Sequence, residues 1–209
     1  MATTRPARRP RARRGEGDRL REEILDATSA LLMETGNREA VSIRAVADAV
    51  GVTPPSIYLH FEDKAELIHA VCERHFGDLD RFIEERVAGV GDPLEELRIR
   101  GRAYVRFGLE HPEQYRILFM TRQEPIEAPS EHLKSASGFN ALLDNVTRAM
   151  DAGAIAPADP HLVGTGLWTV VHGITSLAIC MPHFPMMGLD PLLEHLLDVH
   201  GRGLGRRSG

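Results

Sequence analysis

Helix starts and stops punctuate this chain so regularly that they leave almost no room for a sheet. Asp63-Lys64-Ala65-Glu66 and Asp92-Pro93-Leu94-Glu95 each set an aspartate three residues before a glutamate. That is the reciprocal cap in which two side chains satisfy backbone amides of the first helical turn. Asp159-Pro160 and Asp190-Pro191 repeat a cap followed by a proline, whose missing N–H costs little in a first turn. His111-Pro112 reads as one helix ending and the next beginning. From Asp18, the residues Leu20, Ile24, Ala27, Thr28, Leu31 and Leu32 recur at helical spacing, with Glu22 and Glu23 in the first turn and Gly36 as a stop. Ser42 caps a second helix that buries Val46 and Val50 and is broken by Gly51. Thr53 caps a third, with Pro54 and Pro55 in its first turn. No stretch alternates apolar and polar residues with period two. The expected fold is all-α, with helices near 18–36, 42–50, 53–60, 63–88, 92–110, 112–122, 130–152, 160–181 and 190–203. Residues 123–129 form a loop, and two short helices around a glycine turn make a helix-turn-helix.

Charge divides the chain in the same place. Net charge is −5, which taken alone disfavours a nucleic-acid partner, but the charge is unevenly spread. Residues 1–17 carry Arg5, Arg8, Arg9, Arg11, Arg13 and Arg14 against Glu16. Residues 1–64 hold 11 basic and 10 acidic side chains, and residues 65–209 hold 14 and 20. A near-neutral N-terminal third with a basic arm, joined to an acidic remainder, implies two regions with different partners. We divide the chain into a disordered arm over 1–17, a helix-turn-helix domain over 18–62 and a helical domain over 63–209. Hydrophobic residues at 43% and charged residues at 26% fit an ordinary globular protein, and aromatics at 5% argue against an aromatic-rich β-sandwich. Cys72 and Cys180 cannot build a disulfide scaffold. No apolar run approaches the roughly 18 residues of a membrane span, and the arginine-rich start lacks the apolar core of a secretory signal. The expectation is a cytoplasmic protein without a membrane partner.

The N-terminal helices carry a more specific pattern. It runs through Val41-Ser42-Ile43-Arg44-Ala45-Val46-Ala47, then Gly51-Val52-Thr53-Pro54-Pro55-Ser56-Ile57-Tyr58-Leu59-His60-Phe61, then Asp63-Lys64-Ala65-Glu66-Leu67. This stretch resembles the TetR family of transcriptional regulators, with its short helix, Gly-Val-Ser/Thr, Tyr-x-His-Phe end and following Lys-x-x-Leu. The resemblance implies a homodimeric, ligand-responsive regulator of double-stranded DNA that is not an enzyme. The DNA-binding candidates are Ser42, Arg44, Thr53, Pro54, Pro55, Ser56, Tyr58, His60 and Lys64. The chemistry agrees. A helix N-terminus presents free N–H groups and a positive dipole end to phosphate, and Thr53 can cap it and touch phosphate at once. Pro55 and Ser56 can meet a thymine methyl and base edges. Tyr58, His60 and Lys64 can reach flanking phosphates. Arg44 is the one arginine or lysine between 39 and 63, so it is the candidate there for reading guanine bidentately. Ile57, Phe61 and Val46 read as core. The arginine arm either tracks phosphates and the minor groove or makes no contact.

The C-terminal two-thirds lacks the nucleophile-elbow, zinc-protease and phosphate-loop motifs. Trp168-x-x-x-His172-Gly173 places a tryptophan and a histidine on one helix face, and Gly164, Gly166 and Gly173 let another helix approach closely. With Tyr104-x-x-Phe107, His111-Pro112 and Tyr115-x-x-x-Phe119, this region is similar to the WHG-type C-terminal domain of some TetR-like regulators. The ligand-binding candidates are Tyr104, Phe107, Tyr115, Phe119, Met120, Met150, Trp168 and His172, for an apolar or amphipathic small-molecule effector. The alternative is a solid core in which these side chains fill one another's space. No cofactor or metal is expected. His69, Cys72 and Glu73 share a face, and Cys180, Met181 and His183 with Met186 and Met187 offer soft ligands, but neither set has a known ligand spacing. Apolar rows at Leu162, Leu167, Val170, Ile174 and Leu177, then Leu192, Leu193, Leu196 and Leu197, imply a two-fold four-helix interface. The reading as a whole is a repressor released when a ligand in the core shifts the spacing of two recognition helices, with helix 63–88 as the lever. The rivals are a helical enzyme acting on that ligand and a DNA binder without a pocket.

Overall fold

The computed structural model describes residues 16–120, 137–183 and 188–204. The helices are α1 (Glu16–Thr35), α2 (Ile43–Val50), α3 (Pro54–Ile57), α4 (Lys64–Val87), α5 (Pro93–Glu110), α6 (Pro112–Phe119), α7 (Ser137–Asp151), α8 (Pro160–Cys180) and α9 (Leu189–Leu204). No strand occurs among the described residues. The expected arm falls outside them, apart from Glu16 and Gly17, which are already helical, and so does the loop over 123–129.

Most ends are set where local chemistry sets them. Ser42 Oγ accepts from Ala45 N at 3.1 Å, and Gly51 closes α2 at φ +77°, a left-handed conformation that glycine adopts without strain. Asp92 Oδ1 accepts from Leu94 N at 2.9 Å, and Asp159 Oδ1 from His161 N at 2.9 Å. Asp63 Oδ1 accepts from Glu66 N at 2.8 Å, while the Glu66 carboxylate reaches back to Glu62 N rather than to the cap's own amide. Asp190 is a correction: α9 starts one residue earlier, so Asp190 sits inside its first turn instead of capping it. Thr53 is another. Its backbone is extended as a cap requires, but its hydroxyl pairs with Ser56 Oγ at 3.0 Å and caps no amide. The third helix is also shorter than expected, four residues instead of eight, because Tyr58–His60 continue as turns.

The described residues form two units. The first comprises 16–75 with 116–120, and the second 76–115, 137–183 and 188–204, so α4 and α6 each contribute to both. In the first unit Ile24, Leu32, Val46, Ile57, Phe61, Leu67 and Val71 are buried, as expected for Val46, Ile57 and Phe61, while Val50 is half-buried. Arg74 on α4 bonds Asp26 on α1 at 2.7 Å, and buried Ser29 meets buried His75 at 2.9 Å. In the second unit α5 packs against α7, α8 and α9. A Cβ on Gly108 of α5 would lie 2.3 Å from Thr175 Cγ2 of α8, so glycine sets how closely these helices cross. Buried Arg100 and Glu96 pair at 3.0 Å, with Glu84 of α4 at 2.7 Å from Arg100 and Arg148 of α7 at 2.8 Å from Glu96. One charge network therefore ties three helices of this unit.

The sequence expectation that no membrane-length apolar run exists needs correction. Helix α8 has no Asp, Glu, Lys or Arg, and by length and composition it could cross a membrane. Its glycines, threonines and two histidines interrupt the run without lowering its average enough. Only 28% of its most apolar stretch is buried, and Leu162, Leu177 and Met181 are exposed.

Candidate functional site

In the first unit, the face of α3 and the turn after it follows from the burial of Ile57 and Phe61. These residues are four apart and both point inward, so Pro54, Pro55, Tyr58 and Leu59 point out together. Tyr58 is 54% exposed and Leu59 82%. Arg44 and Ser42 are exposed on α2. His60 is half-buried, with its Cε1 4.0 Å from where a Cβ on Gly17 would sit, so the chain enters α1 beside it. Arg21 lies over the Phe61 ring at 5.1 Å. Lys64 is half-buried and donates to the Glu39 carbonyl at 3.3 Å, which holds its ammonium near the start of α2.

This geometry changes one part of the expected chemistry. A four-residue helix whose first two residues are prolines offers little dipole and no N–H at those positions. Its first amide, Ser56 N, already bonds the Thr53 carbonyl at 2.8 Å. The helix N-terminus is therefore not a phosphate cradle. The groups exposed at this end are side chains, not backbone amides. Leu59, which is not among the expected residues, fills the variable place of Tyr-x-His-Phe and is exposed on the same face.

In the second unit, three helices converge on His172 of α8. Its Nδ1 lies 2.7 Å from the Tyr115 hydroxyl of α6 and 3.0 Å from the Tyr104 hydroxyl of α5. The Tyr104 hydroxyl donates to that of Tyr115 at 3.4 Å, so a relay from Tyr104 to Tyr115 to a neutral His172 accounts for the 3.4 and 2.7 Å contacts, and at 3.0 Å Tyr104 stands as the alternative donor to the same nitrogen. Trp168 lies 4.9 Å from the His172 ring and 6.4 Å from Phe139 of α7. Burial pushes both tyrosine hydroxyls up from their usual pKa, and burial lowers that of His172. The cluster thus holds neutral hydrogen-bonding groups, while Trp168 and His172 stay half-exposed.

Of the expected effector residues, Tyr104, Tyr115, Trp168 and His172 come together. Phe107 is buried against Phe82 at 5.5 Å and His111 at 4.9 Å. Phe119 and Met120 belong to the first unit, and Met150 is half-buried near the end of α7. A groove of about 540 Å³ is lined by Arg102, Val105, Leu109, Glu110, Leu193 and Glu194, among others, and by none of the expected effector residues. As for metals, Cys72 turns to Arg38 Nη2 at 3.4 Å, with its thiol pKa raised by burial, while His69 faces Glu73 at 3.8 Å. Met186 and Met187 lie outside the described residues. Among the described residues, no group of three or more His, Cys, Asp or Glu is placed to hold a metal.

A unit in which α1 and α2 carry a short, outward-facing third helix, in a chain with a second helical unit, is the arrangement of a helix-turn-helix DNA-binding regulator. Residues 24–71 match the family model described as bacterial regulatory proteins, tetR family. Residues 97–200 match one described as a tetracyclin repressor-like, C-terminal domain. The chain is 30% identical over 155 residues to the HTH-type transcriptional activator FasR of Mycolicibacterium smegmatis, covering 70% of each. Its fold is similar to a TetR family transcription regulator from Marinobacter aquaeolei VT8, with TM-score 0.73, 22% identity and coverage of 93% of this chain and 100% of that one. It is also similar to AibR, solved in complex with isovaleryl coenzyme A and operator DNA, with TM-score 0.63, 18% identity and coverage of 86% and 97%. The chain belongs to the TetR family of transcriptional regulators, and its N-terminal helix-turn-helix binds DNA.

Proposed function

We propose that this regulator is a cytoplasmic homodimer that represses transcription from a pseudo-palindromic operator and releases it when a small apolar or amphipathic molecule binds beside His172. The observation that carries the reading is the cluster of Tyr104, Tyr115, His172 and Trp168. It combines an aromatic wall with hydroxyl and imidazole groups that can orient one polar group on an apolar guest. A branched-chain acyl thioester is a reasonable first probe, since AibR is found with isovaleryl coenzyme A.

Arg44 reads a base edge in this proposal, and Tyr58, His60 and Lys64 hold phosphates. The stretch carrying Arg5 to Arg14 precedes α1 in the sequence, and in this proposal its charges add phosphate contacts. Of the apolar rows expected to pair, Ile174, Leu193 and Leu197 are buried within the protomer, so the proposed dimer rests on what stays open: Leu162 and Leu177 of α8 and Val199 of α9 are exposed, and a side chain at Gly166 or Gly173 would meet nothing within 4 Å. Pairing with a second copy covers that surface and sets two reading faces on successive major grooves, about 34 Å apart. Operator sequences selected from random duplex DNA, followed by titration of the complex with isovaleryl coenzyme A and other amphipathic molecules, test the reading. Release that His172→Ala abolishes supports it. Turnover of the ligand, or a monomeric mass at micromolar concentration, overturns it.

A further inference from the structure

We propose that Leu59 is a specificity-determining residue that reads the C5-methyl group of a thymine in the operator. This rests on the reading of α3 and its following turn as the DNA face. Leu59 is the most exposed large apolar side chain among the described residues, at 82%, and in the first unit only Tyr58 is comparably uncovered. The apolar side chains around it do the opposite: Ile57 and Phe61 are buried at 0% and 2%. The exposure is therefore local, imposed by inward-facing neighbours two positions away on either side.

Its company narrows what it can touch. The outward surface at helical spacing is Pro54, Pro55, Tyr58 and Leu59. None of these carries a charge, and a single phenol hydroxyl is the polar group among them. A leucine gives and accepts no hydrogen bond, so it cannot read the donor and acceptor pattern of a base pair. The major groove offers one apolar group, the thymine methyl. A leucine covering that methyl removes apolar surface of both partners from water, whereas the same leucine against cytosine or guanine desolvates a polar edge without pairing it. The chemistry thus selects A·T over G·C at one position per half-site. It discriminates by shape and methylation, independently of Arg44.

Uracil tests this cleanly, because it keeps every hydrogen-bonding group of thymine and lacks only the methyl. With full-length protein and its selected operator, each thymine is replaced by deoxyuridine in turn and affinity is read by fluorescence anisotropy. Burial of one methyl corresponds to about 0.8 kcal/mol, or roughly fourfold in affinity. The expected result is a loss of about that size at one thymine per half-site, absent in Leu59→Ala, whose melting temperature matches the parent because the side chain is exposed. Uracil sensitivity that persists unchanged in Leu59→Ala overturns the proposal, as does parental affinity of that variant for the thymine operator. Arg44→Ala and Lys64→Ala run alongside as controls. If they weaken binding and Leu59→Ala does not, only the Leu59 proposal fails. If none of the three matters, the assignment of the face fails.

Discussion

Removing the two hydroxyls that meet at His172, one at a time and then together, asks whether the cluster acts as a unit. Tyr115→Phe deletes the group 2.7 Å from Nδ1 but leaves the Tyr104 hydroxyl at 3.0 Å, so the imidazole keeps a donor. A net hydrogen bond contributes about 0.5–1.5 kcal/mol, and the remaining donor puts this change in the lower half of that range. Tyr104→Phe leaves the shorter contact untouched and should cost no more. The double variant takes away both hydroxyls within 3.0 Å, so the imidazole nitrogen loses the substitute donor that cushions each single change, and the half-exposed ring should lose about 1 kcal/mol beyond the sum of the singles. In a chain of 209 residues, each kcal/mol lowers Tm by about 2–4 °C. Urea unfolding followed by circular dichroism measures all four corners of the cycle. If the double variant equals the sum of the singles within about 0.5 kcal/mol, the hydroxyls do not share His172 and the relay is wrong.

Burial holds the pKa of His172 below its unfolded value, so between the two values the unfolded chain binds the extra proton and stability falls with decreasing pH. The parent should lose stability on moving from pH 7 toward pH 5 more steeply than His172→Gln, as thermal melts in a pH series would show. Gly108→Ala should cost about 1–3 kcal/mol, because its Cβ would lie 2.3 Å from Thr175 Cγ2. Gly166→Ala, on the open face of α8, should leave protomer folding intact and weaken the dimer, which sedimentation equilibrium separates. Glu96→Leu should destabilise by about 1.5–3 kcal/mol, since buried Arg100 loses one of its two carboxylate partners and keeps Glu84, and equilibrium denaturation reads the loss. Lys64→Ala should weaken binding to every duplex and reduce the salt slope by about 0.9, while Arg44→Ala relaxes preference at one base pair by about 1–3 kcal/mol; equal losses on specific and random DNA would remove Arg44 from base reading.

The sequence determined this protein where a few neighbouring residues suffice. Ser42, Asp92 and Asp159 cap their helices and Gly51 ends α2 because a cap bond spans only two to four residues, a distance the sequence itself displays. The run from Val41 to Leu67 identified the DNA-binding unit for the same reason. Even there, locality had limits. Thr53 has the backbone of a cap, but the Ser56 hydroxyl one turn later competes for its side chain. The proposed effector site was legible only in part: Trp168 and His172 share a helix face, but nothing local says that Tyr104 and Tyr115 reach the same nitrogen while Phe107 turns to Phe82. That choice depends on how α5, α6 and α8 pack, and on Gly108 letting α5 approach α8. Leu59 shows the same division from the other side. Its residue type predicts burial, and only the packing of Ile57 and Phe61 into the core turns it outward, because one short turn cannot bury both of its faces.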